Sequence, residues 1–246
     1  GPNDTPTSLA VGKIDPPALP TGRRVTVTAG GDAGDGSGAR RWGLNTHHGW
    51  TLALTDADLR RWRASHRRGE AASALPYGLE QLEQRGHRVI GPRLATRGPA
   101  KKAFDVWSHR SGVPMEPAAR GLPRALSADV VLCALEQHAR AAGTLARMPL
   151  SPYRRRPVIA LTCWLAEELR HLRPSDRREL VAAYAAVDRF VFWSSNQREI
   201  YLDAGIGPGR LIDVQYGVDV DFYTGDPAAA RSIPFLTVGQ DRGRDY

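Results

Sequence analysis

Residues 187–225 constrain the fold of this chain more than any other stretch. The run Phe190-Val191-Phe192-Trp193 is short, apolar and rich in aromatics, which suits a strand buried in a sheet better than a helix. Ser194, Ser195 and Asn196 follow, residue types that cap helix N-termini. Ile200, Tyr201 and Ala204 then recur at helical spacing, and Gly205 stands where a C-terminal cap glycine is expected. Residues 211–214 read as a second short strand, and Tyr216-Gly217-Val218-Asp219 as a turn. Strand, capped helix, strand is the crossover unit of a parallel sheet, because parallel strands cannot be joined by a tight hairpin.

Upstream the same alternation repeats. Residues 50–55 read as a strand, and Asp56-Ala57-Asp58 caps a basic helix reaching Arg68. Pro76-Tyr77-Gly78-Leu79 opens a helix that Leu79, Leu82 and Gly86 continue before a strand at 87–90. A helix at 101–109 turns Phe104 and Trp107 inward, whereas Pro114, Pro117 and Pro123 make 113–126 a loop. Further strands fall at 128–133 and 157–162, each with a helical stretch behind it (136–146; 164–171 as helix or lid). A helix at 174–186 puts Leu180, Ala183, Tyr184 and Val187 on one face, and a last strand is read at 234–239. The expected architecture is an α/β fold: a Rossmann-like, mainly parallel sheet with helices on both faces over residues 50–225. An irregular segment or linker, residues 1–49, precedes it, and residues 226–246 start a second domain.

Composition removes several classes of function. No window approaches eighteen uninterrupted apolar residues, which excludes a membrane-spanning helix. No signal peptide is read at the N-terminus, and Gly1-Pro2 has the look of a cleaved tag. Cys133 and Cys163 sit in apolar runs and read as buried free thiols, in keeping with a reducing cytoplasm. The formal charge is +8, and only three of the 34 basic residues are lysine. Arginines cluster at 60–68 and 154–156 with no RNA-binding pattern of interleaved stacking aromatics and no zinc-finger spacing, so they read as solvated faces and not as a nucleic-acid surface. The glycines at 30–38 lack the order of a phosphate-binding loop, and His47-His48 has no third ligand at metal-site spacing.

Ala186-Val187-Asp188-Arg189-Phe190-Val191, Ser194-Ser195, Ala204-Gly205 and Gly217-Val218-Asp219-Val220-Asp221-Phe222 together resemble retaining GT-B glycosyltransferases of family 4. The likeness is to the segment that passes from the N-terminal to the C-terminal domain. Gln215-Tyr216 departs from the Pro-Asn more usual there. Pro76-Tyr77-Gly78-Leu79 with Gly86-His87 is similar to the family's first helix and second strand. The resemblance covers residues 50–246 and implies an acceptor-side domain plus the start of a donor domain. It implies sugar transfer from a nucleotide-diphosphate sugar to a hydroxyl acceptor with retention of configuration, without metal or cofactor, in a bacterial-type cytoplasmic enzyme. Peripheral contact with the anionic inner face of the membrane is part of the same expectation, and nucleic acid is not.

For individual residues the resemblance implies Glu136 as the catalytic candidate, with Tyr77, Gly78, Gln137 and His138 on the acceptor side. Gly239, Arg242 and Arg244 would serve the donor diphosphate, and Gly217 and Asp219 the hinge, with Gly217 at positive φ. The family's paired-glutamate motif is not found in these 246 residues, so this stretch by itself is expected not to turn over. The alternative reading is a non-catalytic basic α/β module that binds a nucleotide or an anionic polymer.

Overall fold

A computed structural model of the chain describes residues 49–215 together with Gly217, Asp219, Phe222 and Tyr223. The glycine run at 30–38, His47, His48, the strand expected at 234–239 and the domain boundary after residue 225 lie outside the described residues. In chain order the elements are β1 (Trp50–Leu54), α1 (Leu59–Arg67), α2 (Glu80–Gln84), β2 (Arg88–Ile90), α3 (Pro99–Ser111), α4 (Met115–Ala125) and β3 (Val130–Ala134). Then follow α5 (Glu136–Ala146), β4 (Val158–Thr162), α6 (Leu165–His171), α7 (Pro174–Ala183), β5 (Arg189–Phe192), α8 (Arg198–Asp203) and β6 (Leu211–Asp213).

The six strands form one parallel sheet in the order β2-β1-β3-β4-β5-β6. The fold is α/β and Rossmann-like, as the alternation of strands and helices requires. Side chains alternate across the sheet. Leu52 and Leu54 of β1 join Val131, Cys133, Ala160, Phe190 and Phe192 in a large core, while Ala53 joins Leu59, Leu75, Leu79 and Val89 on the other face. Helices therefore cover both faces, α1 and α2 on the second. From β1 the chain first builds outward to β2, then returns to lay β3 on the opposite side of β1. That reversal is the topological switch point, and in such sheets ligands bind beyond the carboxyl ends of the strands that flank it.

Two aspartates set the register. The Asp129 carboxylate accepts the amide of Trp50 at 2.7 Å, and its own N–H donates to the Trp50 carbonyl at 2.8 Å. Asp188 repeats the clasp on Val158, with both bonds at 2.8 Å. At the far edge Arg210 donates to the carbonyls of Tyr184 and Val187 at 3.1 and 2.6 Å and lies over the Phe190 ring. Gly205, at φ +88°, ends α8 as expected, with the amide of Ile206 bonded back to the Tyr201 carbonyl at 3.0 Å.

Several local expectations are corrected. Residues 115–125 are a helix, not a loop. Pro117 occupies its first turn, where an N–H has no intrahelical partner, and Pro123 faces solvent in its last turns. Six of its residues, Met115 to Ala118, Gly121 and Ala125, are buried, so packing overrides the proline signal. Helix α3 buries no residue, and Trp107 is 40% exposed and stacks on Phe104. Before α8 the cap positions Ser194 and Gln197 make no side-chain capping bond, and α7 stops at Ala183. Cys133 is buried but Cys163 only partly so.

Gly121 marks the closest approach of α4 to the sheet. A Cβ there would stand 2.7 Å from the Tyr153 hydroxyl and 2.8 Å from Leu54 Cδ2. Gly121→Ala is expected to destabilise the domain, because overpacking of about 1–3 kcal/mol outweighs a helix-propensity gain of at most about 1 kcal/mol. Urea unfolding checks this: an unchanged or higher midpoint would mean that α4 does not sit against β1 as described.

Candidate functional site

Thr55-Asp56 leaves β1 and Leu135-Glu136 leaves β3, so the switch point is flanked by two acids. Leu135 makes the exit from β3 at φ 80° and ψ 152°, a backbone region that side chains rarely adopt and that costs about 1–3 kcal/mol. This turn starts α5 with Glu136, Gln137 and His138 in its first turn. Glu136 is buried, and its two oxygens accept the amides of Cys163 and Trp164 at 3.0 and 2.8 Å. The carboxylate thus ties the exit of β3 to the exit of β4.

His138 is almost fully buried beneath the rim. Its Nε2 lies 3.5 Å from Asp56 Oδ2, and its Nδ1 has no hydrogen-bond partner among the described residues. A separation of 3.5 Å is an electrostatic contact longer than a good hydrogen bond. Asp56, whose side chain is 66% exposed, therefore still presents its carboxylate to solvent. Burial holds His138 below the ordinary imidazole range, and Asp56 opposes that shift.

Tyr77 enters from the other face. It sits at φ 58° and ψ 27° inside a single 3-10 turn, Pro76–Gly78, and Gly78 follows at φ 70°. These two successive left-handed residues lift the half-exposed ring toward the edge of β1. Burial, then the charges of Asp56 and Cys163, push the Tyr77 phenol up, while the Thr55 side chain opposes. The Cys163 thiol is raised too, chiefly by burial and then by Glu136. Among the described residues nothing stands within 4 Å of where a Gly78 Cβ would be, and Gly78 is exposed.

The structure thus links Tyr77, Glu136 and His138, but through two residues the sequence reading passed over. Within the expected capping segment Asp56-Ala57-Asp58 it is Asp58 that caps α1, accepting the amides of Arg60 and Arg61 at 2.9 and 3.1 Å, and Asp56 is left to face His138. Cys163, expected to be buried, is only partly so. Their position directly after strands was the available signal. Gln137 is half-buried beside His138. Gly217 is exposed, and among the described residues no atom stands within 4 Å of a Cβ position there; Tyr216 and Val218 on either side of it lie outside the described residues. Asp219 accepts the Phe222 amide at 3.0 Å and shapes the turn after it. Gly239, Arg242 and Arg244 lie outside the described residues.

Two hollows adjoin this edge. One of about 450 Å³ lies between α6 and α8, lined by Glu167, Arg170, Asn196 and Gln197. Another of about 230 Å³ lies beyond β2 and carries four arginines. Among the described residues no group of three or more His, Cys, Asp or Glu side chains is placed to hold a metal ion, and no helix is long and apolar enough to cross a membrane.

No family model matches this chain. No curated protein matches it in sequence. Among solved structures, Anabaena HepE in complex with UDP-glucose is similar, with a TM-score of 0.40 and 16% identity over 73% of this chain and 47% of that one. The chain thus spans about half the length of that structure.

His138 gives the domain a pH dependence with a definite sign. Its folded pKa is lowered, so its contribution is fully present above the unfolded value of about 6.5. It is lost as pH falls below that value, because the unfolded chain takes up a proton that the folded form resists. His138→Asn should flatten the fall in Tm between neutral and mildly acidic pH. Parallel curves for the two proteins would show that His138 is not held neutral.

Proposed function

We propose that this chain is the acceptor-side part of a glycosyltransferase that moves a sugar from a nucleotide-diphosphate sugar to a hydroxyl acceptor, with retention of configuration. The observation that carries the reading is the Asp56–His138 pair at the switch point: an exposed carboxylate above a buried imidazole with one unpartnered nitrogen. The residue pattern at 186–222 supplies the family expectation.

In this reading the acceptor hydroxyl donates to Asp56, which holds its oxygen against the anomeric carbon. The new C–O bond forms as the bond to the diphosphate breaks, and the proton leaves with the departing phosphate. Positioning and charge neutralisation supply most of the rate. Tyr77 and Gly78 border the acceptor, and Glu136 acts through the Cys163–Trp164 loop that it holds. Gly239, Arg242 and Arg244 would meet the donor diphosphate, where arginine makes charge-assisted, often bidentate bonds.

The test uses a protein carrying this chain together with its donor half, with donor and acceptor titrated separately. Asp56→Asn should lower turnover by roughly 10- to 1000-fold with donor affinity nearly unchanged. Arg242→Ala and Arg244→Ala should instead weaken donor use. Unaltered release of nucleoside diphosphate in Asp56→Asn would overturn the assignment. The net charge of +8 favours a second reading, a non-catalytic module for polyanions; salt-sensitive binding of any polyanion, with no diphosphate release, would select it.

A further inference from the structure

The hollow beyond β2 has an unusual wall. Asp58, Arg60 and Arg63 line it from α1 and its cap, Gly91 and Arg93 from the exit of β2, and Arg124 from the last turn of α4. Arg63 is committed to Glu83, with two bonds of 2.9 and 2.8 Å. Asp58 is engaged by the amides it caps. Among the described residues Arg60, Arg93 and Arg124 pair with no carboxylate.

The wall is also held in place. A Cβ on Gly91 would stand 2.9 Å from Leu59 Cδ1, so glycine lets the exit of β2 pack on α1. Further along, the buried Glu116 accepts the Ala95 amide at 2.5 Å and pairs with Arg120 at 2.8 Å, which fixes the loop that bears Arg93. Unpaired guanidinium groups around one cavity repel one another until an anion enters. Forked guanidinium donors match carboxylate and phosphate oxygens alike, and with three unpaired guanidinium groups around one cavity a dianion is neutralised more fully than a monoanion.

We propose that this cavity binds a phosphate group, and that the phosphate belongs to the acceptor. The second half of the statement rests on the glycosyl-transfer reading; the first does not. Asp58 on the cavity wall and Asp56 beside His138 are two residues apart, a reach of about 7 Å. A phosphorylated acceptor seated on the arginines would therefore carry a nearby hydroxyl to Asp56.

The experiment is calorimetric titration of the 246-residue chain with inorganic phosphate and with glycerol phosphate, neither of which needs a sugar donor. Saturable binding is expected, weakened at least tenfold in Arg93→Ala/Arg124→Ala, in line with the loss of charge-assisted bonds. Arg155→Ala, before β4 at the opposite end of the strands, should bind like the wild type. The exposed-loop variant Arg93→Gln serves if the double variant does not fold. Absence of binding, or equal losses in the Arg93/Arg124 and Arg155 variants, overturns the site. Cosedimentation with phosphatidic acid vesicles but not phosphatidylcholine vesicles, lost in the same double variant, places the phosphate on a lipid. Binding of glycerol phosphate without cosedimentation places it on a soluble acceptor, and either result supports the cavity. If phosphate binds but Asp56→Asn leaves sugar transfer unaltered, the cavity stands and only the acceptor reading falls.

Discussion

The clasps made by Asp129 and Asp188 are the constraint on which the rest of the domain depends. Each aspartate stands one residue before its strand and engages both the N–H and the C=O of the neighbouring strand's entry. A slip of one residue would turn Leu52, Leu54, Phe190 and Phe192 away from the larger core. It would also move the exits of β1, β3 and β4 relative to one another, and those exits carry Asp56, Glu136 and Cys163. The amino ends of the strands fix the register, and the carboxyl ends use it.

At the carboxyl edge the domain spends stability on geometry. Leu135 and Tyr77 are the non-glycine residues held at positive φ among the described ones, and both adjoin Asp56 or Glu136. His138 is buried with an unsatisfied nitrogen, a burden of about 1–3 kcal/mol where no partner compensates it. Other buried hydroxyls divide: Thr162 bonds the Tyr201 hydroxyl at 2.8 Å and Tyr153 donates to the Ala118 carbonyl, whereas those of Tyr184 and Ser151 have no partner among the described residues. Two strained backbone positions and an unpaired imidazole nitrogen gathered in one place are the combination expected of a site arranged for something other than folding.

The alternation of strands and helices was legible because it rests on local periodicity. Residues 136–146 and the strands at 50–54 and 158–162 needed no tertiary knowledge. Helix α4 was not legible, since three prolines argue against a helix unless one knows which positions lack a partner or face solvent. The site was half legible. Resemblance pointed to Tyr77, Glu136 and His138, yet nothing local tells Asp56 from Asp58, two acids on either side of Ala57. Only the sheet shows that the second caps α1 while the first faces His138. The arginines at 60–68 likewise read as one solvated face, whereas Arg63 and Arg68 form ion pairs with Glu83 and Glu70 and Arg60 lines a cavity.

The turn from β1 into α1 concentrates this division of labour. Thr55 accepts the Ala57 amide at 3.1 Å and closes the turn. Asp56 looks across the switch point to His138, and Asp58 caps α1 on the wall of the arginine cavity. Because Asp58 is engaged by backbone amides, its charge only partly offsets the arginines beside it. Asp56 is not so engaged and keeps its lone pairs for a donor from solvent. Four consecutive residues thereby set an arginine-lined hollow next to an exposed carboxylate that faces His138, an arrangement suited to an anion at one end of a small molecule and a hydroxyl at the other.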